Sequence, residues 1–290
     1  MKSPLFSIII PLYNKEKSIK TTIESALHQS YSNIEIVVID DGSTDNSADI
    51  AKNLAKQDNR IHFVHQENSG ASSARNRGVR ESSGDWIMYF DADDLLYDYC
   101  VESLVKMYQE HPGADIYAGN CNLHYPDKTI INMKHQINGL VKNNLRSFYF
   151  WHTNTGVGCS MRTRKAALQI PYPEEYDRFE DLKLILEVFN IFKIYSFDKP
   201  LCCVRLEYSS LSHPAKNVDK DYLFNMEFSK YPFWGKMIMG KMLYWAYVTY
   251  PQYKSRLFHK YGWYNLYMLP KVPRLIGHII KFYLKSKSVK

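Results

Sequence analysis

The stretch from residue 6 to residue 90 limits the possible folds more than any other part of the sequence, because short apolar runs alternate there with helical periodicity. Runs rich in β-branched residues predict strands at 7–11, 34–41, 61–65 and from residue 86 onward. Apolar residues at helical spacing predict helices between these strands, the third at 71–81. Continuous apolar strands joined by helices are typical of a parallel sheet covered on both faces. The sequence therefore predicts an α/β fold.

Polar or backbone-shaping residues follow each predicted strand, at 11–14, 40–43, 67–70 and 91–93. Ligands of parallel sheets bind beyond the carboxyl ends of the strands, so we expect these four segments to form one binding site. No G-x-G-x-x-G follows the first strand, and no G-x-x-x-x-G-K-[ST] occurs in the sequence. The usual dinucleotide and P-loop sites are therefore not predicted.

Three carboxylates, those of Asp91, Asp93 and Asp94, follow the fourth apolar run. Residues i and i+2 of an extended segment point the same way, so Asp91 and Asp93 can face one ligand. Crowded carboxylates repel one another unless a cation or water lies between them. Oxygen ligands of this kind suit Mg²⁺ or Mn²⁺ shared with phosphate groups. A second interpretation stays open, a solvated loop in which Asp93 or Asp94 caps the following helix.

The composition narrows the class of protein. A chain of 290 residues is long enough to bury a sizeable core. Its five cysteines lack CxxC spacing and two of them are adjacent, which indicates neither a disulfide framework nor a zinc site and fits a reducing cytosol. The first residues lack the apolar region and cleavage site of a signal peptide. No apolar run reaches the roughly 18 residues needed to span a bilayer.

The net charge of +7 is unevenly distributed. Residues 215–290 contain 14 Lys and Arg against 3 Asp and Glu, a net charge of +11, which leaves −4 on the rest of the chain. The same segment holds 18 of the 42 Phe, Trp and Tyr residues, a mixture expected of a surface that meets nucleic acid or anionic lipid. Within it, apolar residues from Val272 to Tyr283 recur at helical spacing beside basic ones. This pattern predicts an amphipathic basic helix, or else a stripe that packs onto the rest of the chain.

Four motifs, in this order and spacing, resemble those of glycosyltransferase family 2: SIIIPLYN at 7–14, VVIDDGSTDNS at 37–47, ENSGASSARNRG at 67–78 and YFDADD at 89–94. The resemblance is close from residue 6 to residue 94 and looser to about residue 213. It implies the GT-A fold, a Rossmann-like and mostly parallel sheet sandwiched by helices. It also implies transfer of a sugar from a nucleotide diphosphate with inversion.

The resemblance implies a set of nucleotide-binding residues, namely Pro11, Tyr13, Asp41, Asn68, Ala71, Arg75, Asp91 and Ala92. In this set Asp41 would accept from the N3–H of a uracil-type base, with Asp40 supporting the loop, and Asp91 would contact the ribose. Asp93 would bind the metal, Mn²⁺ or Mg²⁺. The residue types agree with these roles, since a carboxylate selects a base edge that donates and an aromatic ring stacks on a base.

Simpler interpretations exist for some of these residues. Tyr13 fits packing at the edge of the core, and Arg75 fits an ordinary salt bridge on a helix. Asp41 fits a turn in which Ser43 or Thr44 caps the second helix.

Glu180 and Asp181 form a second group of carboxylates, immediately before an apolar helix. The resemblance implies that Asp181 is the general base that deprotonates the acceptor hydroxyl and that Glu180 supports it. Helix capping is the alternative, because the helix dipole favours acidic residues at this end. Farther along the chain, Arg205 or His213 would neutralise the leaving group, and His213 is also a candidate metal ligand. His152 is a candidate contact to the acceptor sugar, or an ordinary packed or surface histidine.

The remaining elements are a helix predicted at 97–108 and an antiparallel hairpin predicted at 114–133, beside the parallel sheet. We expect a GT-A catalytic domain at 1–213, with a nucleotide-sugar half at about 1–94 and an acceptor half at about 95–213. A basic aromatic helical extension at 214–290 would follow it.

The resemblance, together with these features, implies an inverting, metal-dependent glycosyltransferase. Its donor would be a nucleotide diphosphate sugar, in the first place a UDP-sugar, and its acceptor a glycan or lipid-linked glycan in surface polysaccharide synthesis. We expect a cytoplasmic protein, peripheral at the inner face of the cell membrane, that contacts anionic lipid and no nucleic acid. Two alternatives are a metal-dependent nucleotidyltransferase, which would release pyrophosphate, and a noncatalytic nucleic-acid binding module that uses the basic tail.

Overall fold

The computed structural model describes residues 3–125, 128–132, 136–153, 155–206 and 217–271. The chain divides into two compact units, Met1–Pro214 and Ala215–Lys290, one residue from the predicted boundary. Among the described residues, no helix combines the length and the apolar character needed to cross a membrane. His213 and the predicted stripe from Val272 to Tyr283 lie outside the described residues.

One mixed sheet of ten strands organises the described part of the first unit. The strands are β1 (Phe6–Leu12), β2 (Ile34–Asp41), β3 (Ile61–Gln66), β4 (Trp86–Tyr89), β5 (Leu95–Leu96), β6 (Ile116–Tyr125), β7 (Lys128–Asn132), β8 (Gly139–Leu140), β9 (Ser160–Thr163) and β10 (Ile194–Arg205). Across the sheet their order is β3-β2-β1-β4-β9-β6-β10-β5, with β7 beside β6 and β8 beside β10.

The direction of the strands divides this sheet into two parts. The pairs β1–β2, β2–β3 and β1–β4 are parallel, as the first 90 residues predict. Strand β9 is antiparallel to both β4 and β6, and therefore joins the parallel part to the remaining strands. The predicted hairpin is confirmed as β6 and β7, which pair antiparallel, while β6 also lies parallel to β10 inside the sheet.

Nine α-helices lie in the described residues: α1 (Ile19–Leu27), α2 (Ser47–Ala55), α3 (Ala71–Glu81), α4 (Cys100–Glu110), α5 (Asn144–Tyr149), α6 (Arg164–Gln169), α7 (Glu180–Ile191), α8 (Phe233–Thr249) and α9 (Lys254–Tyr261). Helices α1 to α3 alternate with the first four strands, as predicted. Helix α7 is the apolar helix expected after the second group of carboxylates.

The core lies on both faces of β1 and β2, where apolar side chains are fully buried, which explains their unbroken apolar sequence. Helix α3 approaches β1 closely at Gly78. A Cβ atom at this position would lie 2.2 Å from Cγ2 of Ile9, so a larger residue would push the helix away from the strand. The small side of α3 at Gly78 therefore allows the helix to pack closely on β1, and the same helix begins at Ala71, next to the predicted site.

The second unit contains α8, α9 and short 3₁₀ turns with many aromatic side chains. Asp221 is buried here and accepts hydrogen bonds from the Tyr250 hydroxyl at 3.0 Å and from the main-chain N–H of Leu223 at 2.8 Å. The Tyr261 hydroxyl donates to the carbonyl oxygen of Leu223 at 2.7 Å. Several aromatic residues of this segment therefore build a packed interior.

Candidate active site

A cavity of about 430 Å³ lies beyond the carboxyl ends of β1, β2 and β4, next to the start of α3. The whole predicted nucleotide-binding set lines this cavity, namely Pro11, Tyr13, Asp41, Asn68, Ala71, Arg75, Asp91 and Ala92. Asp93 and Asp94 line it as well. The structure thus brings these residues together, while the contacts they would make to a nucleotide stay predictions.

Asp41 is held in place by N–H groups of the protein. One carboxylate oxygen accepts from the main-chain N–H of Ser69 at 2.8 Å and from the side-chain amide of Gln66 at 2.7 Å. The other accepts from the main-chain N–H of Gly70 at 2.9 Å. The carboxylate is buried and borders the cavity. Its orientation is therefore set before any ligand binds.

Asp40 supports the neighbouring loop, as the sequence predicts. Its Oδ1 accepts from the main-chain N–H of Ser43 at 3.2 Å, and its Oδ2 lies 2.7 Å from Nδ1 of His65. The side chain is fully buried and does not line the cavity. Asp40 and Asp41 are adjacent in sequence, but only Asp41 is available to a ligand in the cavity.

Gly42 lets this loop turn back against the segment after β3. Its φ of +73° lies in the left-handed region, which favours glycine. A Cβ atom here would lie 3.0 Å from the main-chain nitrogen of Asn68. The Asn68 side chain in turn donates to the carbonyl oxygen of Asp41 at 3.0 Å. The turn therefore sets the position of two cavity residues, Asp41 and Asn68.

The three carboxylates after β4 form a cluster, in which Asp91, Asp93 and Asp94 each have an oxygen within 4.8 Å of the others. Asp94 is buried, and its burial together with the neighbouring charge of Asp91 raises its pKa to about 8. Such crowding is costly unless positive charge is added. An all-oxygen set of this size fits Mg²⁺ or Mn²⁺, so these residues are suited to the predicted metal.

Lys15 places positive charge against this cluster. Its ammonium nitrogen lies 2.6 Å from Oδ2 of Asp93, and both side chains are mostly buried. The Lys15 ammonium therefore forms an ion pair with Asp93, the carboxylate that the sequence predicts to bind the metal. Lys15 was not among the predicted site residues, since it lies three residues beyond the end of β1 and one position after the predicted strand-end segment at 11–14.

Arg75 links the acidic cluster to the second group of carboxylates. Its guanidinium donates to Oδ1 of Asp91 at 2.9 Å and lies 3.9 Å from Oε1 of Glu180. It also stacks over the ring of Tyr172, with 4.7 Å between the guanidinium carbon and the ring centre. Burial alone would lower the pKa of Arg75, but Tyr172, Asp91 and Glu180 outweigh burial and raise it. Arg75 is thus permanently charged and fixed between the two groups.

Glu180 and Asp181 lie in the first turn of α7, after Phe179, whose φ of 56° is left-handed. Burial and the charge of Asp181 raise the pKa of Glu180. Asp181 is an exposed residue, yet the protein around its carboxyl group displaces enough water to raise its pKa, and the charge of Asp91 adds to this rise. Both carboxylates line a second, smaller cavity of about 220 Å³. A raised pKa beside a cavity is typical of a proton-accepting residue.

The Arg205 side chain is bonded to the acidic segment that follows β4. Its side chain is buried and does not line the cavity. Its Nε donates to the carbonyl oxygen of Asp93 at 2.6 Å, and its other nitrogens donate to the hydroxyls of Thr21 and Thr22. Its main-chain N–H donates to Asp94. This position favours support of the acidic segment over the predicted contact to the diphosphate, which stays an untested prediction.

His152 is exposed and lies beside a separate apolar cavity that also contains Phe150, and its predicted contact to the acceptor stays untested. Tyr172 was missed as a partner of Arg75. No local pattern marks Tyr172, because it lies in a loop nearly a hundred residues from Arg75 in sequence.

The model of the family described as "Glycosyl transferase family 2" matches residues 7–170, which is more than half of the chain. Curated relatives include glycosyltransferase GlyG of Streptococcus pneumoniae serotype 4, 42% identical over 119 residues, which cover 41% of this chain and 39% of GlyG. Glycosyltransferase GlyA of the same organism is 43% identical over 114 residues, covering 39% of this chain and 16% of GlyA. The matched segment thus spans well under half of these relatives.

Among solved structures, S. aureus TarS 1–349 superposes with a TM-score of 0.64 at 18% identity, covering 86% of this chain and 73% of TarS 1–349. The same TarS fragment has been crystallised with UDP and with UDP-GlcNAc. At this identity the likeness shows the fold, which is the predicted GT-A fold with a C-terminal helical part.

Proposed function

Because the chain belongs to glycosyltransferase family 2, we propose that it transfers a sugar from a UDP-sugar to a hydroxyl group of a glycan acceptor, with inversion at the anomeric carbon. The observation that carries this proposal is the chain of contacts from Asp91 through Arg75 to Glu180, which joins the cavity to the carboxylates of α7. The complexes of TarS with UDP and UDP-GlcNAc support a nucleotide-sugar donor.

The proposed donor fits the fixed groups of the cavity. The Asp41 carboxylate, held by main-chain N–H groups, would accept from the N3–H of uracil, while Tyr13 is exposed and can stack on the base. Asp91 would accept from a ribose hydroxyl with its oxygen that Arg75 does not use. Asn68 and Ala71 would border the base and the ribose.

The proposed reaction is a single displacement. The Asp181 carboxylate takes the proton of the acceptor hydroxyl, and the hydroxyl oxygen forms a bond to the anomeric carbon from the face opposite the diphosphate. The bond from the anomeric carbon to the diphosphate oxygen breaks, and its electron pair leaves with UDP. Glu180 lies beside Asp181 in the first turn of α7 as the supporting carboxylate. The water that the surrounding protein displaces and the charge of Asp91 raise the pKa of Asp181, which makes Asp181 a stronger base.

Asp93, with Asp91 and Asp94 beside it, is the residue that we assign to hold Mn²⁺ or Mg²⁺. A divalent cation bound there would supply positive charge to the departing diphosphate. The side chain of Arg205 supports this segment by bonding to the carbonyl oxygen of Asp93.

The donor and the reaction can be tested together. The full chain is incubated with a panel of UDP- and GDP-sugars, with Mn²⁺ or with a chelator, and free nucleotide diphosphate and pyrophosphate are measured. We expect slow release of UDP from one UDP-sugar, lost with the chelator and in Asp93→Asn. Asp49→Asn, an exposed change on α2, serves as the matched control. Release of pyrophosphate would instead indicate a nucleotidyltransferase.

We also propose that the acceptor is lipid-linked and that the protein works at an anionic membrane surface, in surface polysaccharide synthesis. The net charge of +11 on residues 215–290 supports this part of the proposal, since each basic residue near such a surface contributes roughly 1 kcal/mol. We expect the full chain to sediment with vesicles containing phosphatidylglycerol at low salt and to detach as salt rises. Ending the chain before Lys271 should weaken sedimentation and preserve UDP release. A full chain that ignores these vesicles would contradict the proposal.

A further inference from the structure

The donor cavity contains two basic side chains among the described residues that line it, those of Lys15 and Arg75. They differ in how firmly they are held. Arg75 is buried and bonded between Asp91 and Glu180, with its flat face on Tyr172, so its guanidinium has one position. Because the Arg75 guanidinium is fixed beside Asp91, the proposed ribose contact, it cannot move to bind a diphosphate.

Lys15 combines a fixed main chain with a flexible side chain. Its N–H donates to the Ser47 hydroxyl at 2.7 Å, and its carbonyl oxygen accepts from the N–H groups of Ser18 at 3.0 Å and Ile19 at 2.9 Å. The preceding residue, Asn14, turns the chain with a φ of 51°. The base of the side chain is therefore anchored, whereas its four-carbon stem can swing.

The partner of Lys15 is the carboxylate assigned to the metal. The Lys15 ammonium lies 2.6 Å from Oδ2 of Asp93, and both residues line the cavity. A divalent cation on Asp93 would compete with the ammonium for the same carboxylate, because the two positive charges repel each other at this distance. The donor diphosphate, bound by the same cation, would offer new negative charge beside it. A lysine ammonium is a common partner of phosphate oxygens.

We propose that Lys15 is a diphosphate-binding residue that exchanges partners. Without a divalent cation its ammonium neutralises Asp93, and with metal and donor bound it moves to the diphosphate. This inference rests on the proposed function. It gives Lys15 the contact that the sequence suggested for Arg205 or His213, and it gives a role to the lysine ammonium that lies against the acidic cluster.

The test measures two affinities in full-length Lys15→Met, by calorimetry. The first titration adds Mn²⁺ alone, and the second adds UDP at saturating Mn²⁺. We expect Mn²⁺ to bind more tightly than in the unaltered protein, roughly tenfold, because the competing ammonium is gone. We expect UDP to bind more weakly by a similar factor, because its phosphate partner is gone. Opposite shifts are the signature of exchange.

Lys17→Met is the matched control, since Lys17 is an exposed lysine in the same loop, and both of its affinities should be unchanged. Lys15→Gln repeats the test with a polar side chain in case the methionine variant does not fold. If both affinities stay unchanged, or if both fall, the exchange is refuted. If the unaltered protein binds neither Mn²⁺ nor UDP, the proposed function fails, which distinguishes the two failures.

Discussion

The ends of β2 and β4 both carry carboxylates at the same edge of the sheet, yet the two ends compensate this charge differently. At β2, Asp41 accepts hydrogen bonds from two main-chain N–H groups and a side-chain amide, all neutral. At β4, Asp91 and Asp93 face the cationic side chains of Arg75 and Lys15. Neighbouring acidic segments that look alike in sequence therefore have different surroundings.

This difference separates two kinds of binding group. Main-chain N–H groups cannot leave, so they hold Asp41 as a fixed acceptor for a ligand that donates. A lysine ammonium can be replaced by another cation, so Asp93 is suited to exchange one positive charge for another. The end of β2 thus fits recognition of a base, and the end of β4 fits a metal and a diphosphate.

The largest expected effect tests whether Asp181, in the first turn of α7, acts in the same reaction as the carboxylates at the end of β4. Asp181→Asn should lower turnover by on the order of 10² to 10⁴, the usual contribution of a positioned general base. UDP affinity should stay the same, because Asp181 does not line the donor cavity. Steady-state kinetics together with UDP calorimetry measure both quantities. Turnover within a few-fold of the unaltered protein would shift the role of base to Glu180.

The dependence of turnover on pH gives a second measure of Asp181. A base must be ionised, so turnover falls when the pH drops below its pKa. The water that the surrounding protein displaces and the charge of Asp91 raise this pKa above the ordinary 3.8, against the lowering effects of the Leu182 N–H and Arg75. The acidic limb of kcat should therefore begin at a higher pH than an ordinary aspartate gives. A limb at the ordinary value would contradict this environment.

The next effect concerns Asp93 at the end of β4, whose cationic partner is proposed to exchange. Asp93→Asn should weaken UDP binding in Mn²⁺ by about a hundredfold and remove its response to the metal, because the amide carries no charge for a hard cation. Calorimetry with and without Mn²⁺ measures this change. Asp49→Asn should bind as the unaltered protein does. A variant that keeps the metal response would exclude Asp93 from the metal site.

A smaller effect compares the two ends in folding stability. Asp41→Asn should lower the free energy of unfolding by about 1–3 kcal/mol, because its amide cannot accept from all the N–H groups that now point at the carboxylate. Asp93→Asn should lower it by less, since the freed ammonium of Lys15 can reach water. Urea denaturation measures both. The opposite ranking would mean that the ion pair of Lys15 and Asp93 stabilises this edge of the sheet more than the N–H groups that bond to Asp41 do.

The sequence predicted the cavity well because its parts are local. An apolar run followed by polar residues marks a strand end, and parallel strands bring such ends together, which is enough to place Asp41 and Asp91 on one wall. The contact of Arg75 with Glu180 and the bond of Arg205 to Asp93 could not be predicted, because each joins segments more than a hundred residues apart. The inward direction of the Arg205 side chain depends on where β10 lies in the sheet, and no motif encodes that position.

The smallest expected effect tests whether the loop at β2 is shaped by its glycine. Gly42→Ala should lower the free energy of unfolding by about 1–2 kcal/mol, because an L-residue is strained at φ +73°. It should also weaken UDP binding a few-fold, since the new Cβ would lie 3.0 Å from the main-chain nitrogen of Asn68. Gly113→Ala is the matched control, with φ +101° and open space around a Cβ. It should lose stability by a similar amount and keep its UDP affinity, as measured by calorimetry. Equal losses of UDP affinity in both variants would mean that general loosening of the fold, and not displacement of Asn68, weakens the site.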